Sequence, residues 1–187
     1  MATPTSLPAT FVAGNVLTAA QMNDLRGAFR IVSVKHASLT ATQSASVASG
    51  ANVAVTSLSI THTLADSANK LIIHAHLGMA ANGNGYGMVG LAVANDGTLI
   101  EIGDAAGSRT RVGSFNRTGS SNTSVVQQPS LTFVYAPGDT SSHTYTVRAI
   151  NVDGGTQTLY INRSESTTDS ATFARGASAF VIQEVSA

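Results

Sequence analysis

Apolar and polar positions alternate along most of this chain with the period of two that a half-buried strand imposes. The cleanest run is Leu71, Ile73, Ala75, Leu77 and Met79, with Ile72, His74 and His76 on the opposite face. Arg30 to His36 alternates as well and predicts a first strand. Val53 and Val55 share one parity while Leu58 and Ile60 share the other, so the buried face changes near Ser57, as a β-bulge makes it do. Met88 to Ala94 is almost continuous in small and apolar residues, the pattern of a strand covered on both sides. Asn95-Asp96-Gly97 predicts a tight hairpin turn returning through Thr98 to Ile102. Further strands are expected at Arg109 to Phe115, Ser130 to Tyr135, Thr144 to Ile150, Gln157 to Ile161 and Ala179 to Val185. Pro137-Gly138-Asp139 and Asp153-Gly154-Gly155 supply turn chemistry between them. About eight to ten strands with frequent turns predict a mainly β fold, an antiparallel β-sandwich whose most natural form is jelly-roll-like.

One stretch departs from that period. In Leu17 to Gly27, Thr18 and Gln21 form a capping box, Leu17 and Met22 fall at staple positions, and Gly27 supplies a left-handed stop. Met22, Leu25 and Phe29 share one face at helical spacing. The sandwich is thus expected to follow an extended arm and one short α-helix. A helix of about three turns does not hold itself together in water, so its stripe must dock on something outside the segment. The expected organisation is residues 1–36 as arm, helix and first strand, 37–50 as a linker poor in large apolar residues, and 51–187 as the β-module.

Composition narrows the function classes. Charged residues are 11% of the 187 and cancel to zero net charge, so a basic nucleic-acid footprint is not expected. A surface so sparse in charge suggests coverage by a neighbour, hence an oligomer. No cysteine is present, which removes disulfides and thiolate metal sites. The first residues have neither the basic nor the apolar region of a secretory signal, and no apolar run is long enough to span a membrane. The expectation is assembly in a cytoplasm without membrane insertion.

His74-Ala75-His76 is the sharpest chemical feature, because residues two apart in a strand point to one face and both imidazoles could meet one metal. Three chains meeting on an axis would supply six nitrogens, an octahedral set suited to iron or nickel. The alternative is ordinary exposed or interface imidazoles. The glycine-rich stretch Asn82 to Gly87 lacks the helix and Lys-Ser/Thr of a phosphate loop. It reads as a strand connection, or as a ligand-touching tip in which Asn82, Asn84 and Tyr86 make the contacts. Asp66, Asp96, Asp104, Asp139 and Asp153 lie in turn-like settings that explain them without catalysis. No Gly-x-Ser-x-Gly elbow is present, and no carboxylate pair stands out, so the expectation is not an enzyme.

The run from Leu7 to Asn23, Leu-Pro-Ala-Thr-Phe-Val-Ala-Gly-Asn-Val-Leu-Thr-Ala-Ala-Gln-Met-Asn, resembles the N-terminal segment of tailed-bacteriophage virion proteins, especially fibre and fibre-like appendage subunits. Thr158 to Ser164 and Ala174 to Val185 look like the closing strands of phage fibre jelly-roll heads. The resemblance implies a virion structural protein, assembled in the host cytoplasm. Its N-terminal segment, with Phe11, Leu17, Met22, Leu25 and Phe29, would anchor it to other virion proteins. It implies a homotrimer presenting its β-module for attachment to a host-surface glycan or protein, and spikes and fibres of this kind use His-x-His pairs for metal. A head fibre or capsid decoration protein fits the same plan. A carbohydrate-binding module and a glycan-cleaving tailspike are the alternatives from other classes.

Overall fold

A computed structural model describes residues 31–82, 88–117, 125–168, 170–171, 173 and 175–186, together with Val16, Thr18 and Ala19. Twelve strands follow one another: β1 (Ile31–Leu39), β2 (Gln43–Val47), β3 (Asn52–Thr63), β4 (Lys70–His76), β5 (Met79–Ala81), β6 (Val89–Asn95), β7 (Thr98–Ile100), β8 (Ser114–Asn116), β9 (Ser130–Tyr135), β10 (Ser142–Asn151), β11 (Gln157–Ile161) and β12 (Ser178–Val185). All pairings are antiparallel, in a four-stranded sheet of order β1-β12-β4-β9, a five-stranded sheet β3-β10-β6-β7 with β8 also on β6, and a three-stranded sheet β2-β11-β5.

This arrangement overturns the expected jelly-roll sandwich: no sheet closes into a sandwich or barrel, and the elements of the described residues are all strands. The helix expected over Leu17 to Gly27 lies outside the described residues apart from Thr18 and Ala19, as do Phe11, Met22, Leu25 and Phe29. The physical reason for the open sheets is visible where strands break. The alternation from Leu71 to Met79 is continuous in sequence, but β4 ends at His76 and β5 begins at Met79 in a different sheet. The same happens between β1 and β2 and between β11 and β12, so the three-stranded sheet repeats, in the order β2-β11-β5, the neighbours β1-β12-β4.

Asn162 holds that corner. Its side-chain amide donates to the carbonyls of Leu39 (2.7 Å) and Ala41 (3.1 Å), and its Oδ1 accepts from the Ser178 hydroxyl (2.6 Å). Its backbone N–H donates to Gly78 (2.8 Å), so one buried residue ties all three crossings. It does so at φ 58°, a left-handed conformation that asparagine tolerates better than most residues. Gly78 is needed opposite it, since a Cβ there would come within 3.2 Å of Asn162 Oδ1.

Elsewhere local pattern and structure agree in part, and the strand expected over Arg109 to Phe115 is reduced to β8 at its end. Asp96 and Gly97 both have positive φ, the two-residue hairpin turn expected between β6 and β7. The register of β3 against β10 shifts between Thr146 and Arg148, opposite Ala54 to Ser59, where the apolar parity changes. Stretch 37–50, expected as a linker, carries the end of β1 and all of β2, with Leu39 and Val47 buried. One apolar cluster joins all three sheets, including Leu58, Leu71, Ile73, Leu91, Tyr145, Leu159, Phe180 and Ile182.

Candidate functional site

The inner face of the four-stranded sheet enters the core through Leu71, Ile73, Ala75, Phe180 and Ile182. Because side chains alternate, the intervening residues make up the outer face, and strand register arranges them in rows. One row runs His36, Val181, His74, Thr132, and the next runs Val34, Gln183, Ile72, Val134. A third carries Ser38, Ala179, His76 and Ser130, and Ile31 pairs Val185 at the far end beside Lys70. Ile31, Val34 and Val134 are 53%, 56% and 57% exposed, high values for large apolar side chains. The edge strand β1 therefore adds apolar side chains to a face with no carboxylate on these rows.

His74 and His76 do share this face, both half-buried. The Nδ1 of His74 lies 3.0 Å from the Thr132 hydroxyl, leaving its Nε2 for another partner. Sequence spacing missed His36, which register places in the row of His74; Val181 separates them, so two strand spacings, roughly 10 Å, keep them from sharing one ion. Among the described residues no group of three or more His, Asp or Glu is arranged to hold a metal. Any metal at this pair would need ligands from another chain.

Asn82, expected in a ligand loop, ties the end of β5 to β11. Its N–H donates to the Thr158 carbonyl (3.0 Å) and its side-chain oxygen accepts from the Thr158 N–H (2.7 Å). Asn84 and Tyr86 lie outside the described residues.

Two histidine–carboxylate groupings were not legible in the sequence. Inside, Glu184 Oε2 lies 3.0 Å from His62 Nε2 and 3.4 Å from the Ser33 hydroxyl, while Oε1 accepts from the Ala65 N–H (2.8 Å) and the Asn69 amide (2.7 Å). Outside, His143 Nδ1 meets Asp96 at 2.7 Å and Nε2 meets Asp139 at 3.1 Å. The hydrogen bonds to Asp96 and Asp139 raise the His143 pKa against some desolvation. Asp96 is lowered by the Thr144 N–H and by His143, and Asp139 by the Ser141 N–H and by His143. Both ring nitrogens are occupied, so this imidazole clasps two turns together. The signal that could have found it is the pair of aspartate turns, but only the pairing of β10 with β6 brings Asp96 to His143.

No family model matches the chain, and no curated protein sequence matches it.

Proposed function

We propose that this chain is a non-enzymatic structural subunit of a tailed-phage virion. In this reading it is a fibre subunit, attached through its N-terminal segment and associated with copies of itself through the outer face of the four-stranded sheet. The observation that carries the reading is that face. A segment resembling virion appendage proteins leads within a few residues into β1, the edge strand that supplies Val34 and Ile31 to an open apolar surface. Contiguous exposed apolar side chains on a folded domain mark surfaces for association. Further copies suit this one because its rows carry apolar, hydroxyl, imidazole and amide side chains with Lys70 at one end, so burying this face among copies strands no carboxylate in a dry interface. Closed cyclic symmetry is the general outcome for such a protein, and the resemblance to phage fibre subunits makes a trimer the form proposed. The opposite parts of the module, carrying the turns, are then left for a host-surface glycan or protein.

Two measurements test it. Light scattering of the full chain is expected to give three times the monomer mass, and Val34→Asp with Val134→Asp is expected to give a monomer that still unfolds cooperatively. An antibody to the chain is expected to label intact phage particles from the source genome. A wild-type monomer at tens of micromolar, with unlabelled particles, removes the proposal.

A further inference from the structure

We infer that the pocket lined by Thr42, Arg163, Ser166, Thr168 and Arg175 binds an acidic sugar, with its carboxylate held between Arg163 and Arg175. This site lies beyond the association face, and it stands or falls independently of the virion reading. The pocket measures about 640 Å³, within the range of small-ligand sites. Its walls are mostly polar, formed by two arginines, by Thr42, Ser164, Ser166, Thr167, Thr168 and Ser170, and by one aromatic residue, Phe173.

The two arginines carry the argument. Arg163 and Arg175 are directly opposite in an isolated antiparallel bridge. Opposite residues in such a pair project to the same side, and like charges so placed repel. Repulsion of this kind has a use when an anion sits between the two cations. Arg175 is exposed and has no hydrogen-bond or ion-pair partner among the described residues; Glu165 does not line the pocket, and Asp169 lies outside the described residues.

Arg163 is already positioned. Its guanidinium stacks 4.4 Å from the Tyr160 ring centroid, and its Nη1 donates to the carbonyls of Ser164 (3.3 Å) and Glu165 (3.2 Å). That holds the planar fork while leaving further N–H groups for a ligand, and a planar fork fits a carboxylate better than any other anion except phosphate. The hydroxyls are ordered in the same way. The Ser164 hydroxyl donates to the Ser166 carbonyl (3.2 Å), and the Ser166 hydroxyl donates to that of Thr168 (3.1 Å). Such a row exchanges hydrogen bonds with a polyol, and Phe173 offers a flat apolar surface to the C–H face of a sugar ring. A bare phosphate would use the arginines and accept from the hydroxyls but leave the Phe173 ring idle. A ligand carrying carboxylate, hydroxyls and an apolar face together uses the whole wall.

The test is titration of the full chain at low salt with trigalacturonic acid and with sialyllactose, against maltotriose and inorganic phosphate, followed by calorimetry. At least one acidic sugar is expected to bind saturably, and maltotriose is expected to bind at least tenfold more weakly. Phosphate should bind more weakly than that acidic sugar. Arg175→Gln is expected to cut acidic-sugar affinity at least tenfold while melting no lower than wild type, because it removes one of two opposed cations. Ser166→Ala with Thr168→Ala should weaken acidic-sugar binding. Binding of neither acidic sugar, equal binding of phosphate or maltotriose, or retention of affinity in Arg175→Gln would each overturn the assignment.

Discussion

His62 and His143 are direct cross-strand partners in β3 and β10, yet they have opposite surroundings. The His62 side chain is 4% exposed and meets Glu184, itself 2% exposed; the His143 side chain is 18% exposed and meets two carboxylates that are each about half exposed. Residue types and hydrogen-bond lengths are similar in the two places. What differs is water. Around Glu184, no solvent replaces a lost partner, so each donor aimed at the carboxylate depends on it. Around His143, water competes for every bond and takes over when one is removed. The inner grouping joins β12 of one sheet to β3 of another and to the loop before β4, so it fixes how sheets sit together; the outer one fastens turns.

The largest effect should come from removing the inner acid. Glu184→Ala strands the Ala65 N–H and the Asn69 amide, besides His62, and should cost on the order of 3–5 kcal/mol in urea unfolding. A loss below about 1 kcal/mol would mean that water reaches this site and that the contrast with His143 is false. Next, a double-mutant cycle of His62→Ala with Glu184→Ala should show a coupling of about 2 kcal/mol. The same cycle on His143 and Asp96 should give a coupling too small to move the unfolding midpoint. Equal couplings would erase the comparison.

A third histidine environment sharpens it. His74 and His76 are only half-buried and meet no carboxylate, His74 having the Thr132 hydroxyl, so they can take a ligand shared between chains. If the trimer axis passes by them, elemental analysis of untagged protein should give about one iron or nickel per three chains, abolished by His76→Ala without loss of folding. A metal-free native protein removes that assignment.

The smallest effect is the pH dependence of the outer clasp. His143 is raised from 6.5 in the folded protein, so its contribution is fully present below that value and fades as pH rises through the folded pKa. Asp96 and Asp139 are lowered from 3.8, so theirs is present above that value and fades as pH falls through their folded pKa values. The clasp should be strongest between about pH 4 and pH 6.5. The neighbours facing His143 are Asp96, Asp139, Tyr145 and its cross-strand partner His62. The melting difference between wild type and His143→Gln should therefore be largest in that window and shrink as pH rises through the folded pKa of His143. A difference that grows toward alkaline pH contradicts the assignment.

How much of this was readable depends on range. The strands, the Asp96-Gly97 turn and the parity change in β3 follow from residues within a few positions of one another, and the sequence pattern located them. Leu71, Ile73 and Ala75 were picked out as one face and are buried as one face. The same pattern ran through Leu77 and Met79 without a break, because both remain buried after the chain changes sheets; alternation records burial and is blind to which sheet does the burying. The break comes from Asn162, more than eighty residues further along, hydrogen-bonded to Gly78. Likewise His74 and His76 could be paired from spacing, whereas His36 joined their face only through the register of β1 and β4 on β12.

The sequence by itself determined most of the strands, though not β2 or the shortness of β8, together with the apolar parity of those strands, the Asp96-Gly97 turn, and that few charges would be available anywhere. Tertiary structure alone decided that the strands divide into three open sheets, that Glu184 and His62 meet in the interior, and that Arg163 stands opposite Arg175. The physical reason is that alternation and turn chemistry are local steric preferences written into neighbouring residues. Strand partnership, by contrast, is settled by burial and hydrogen bonding summed over residues as far apart as Ser33 and Glu184, and no local window contains both.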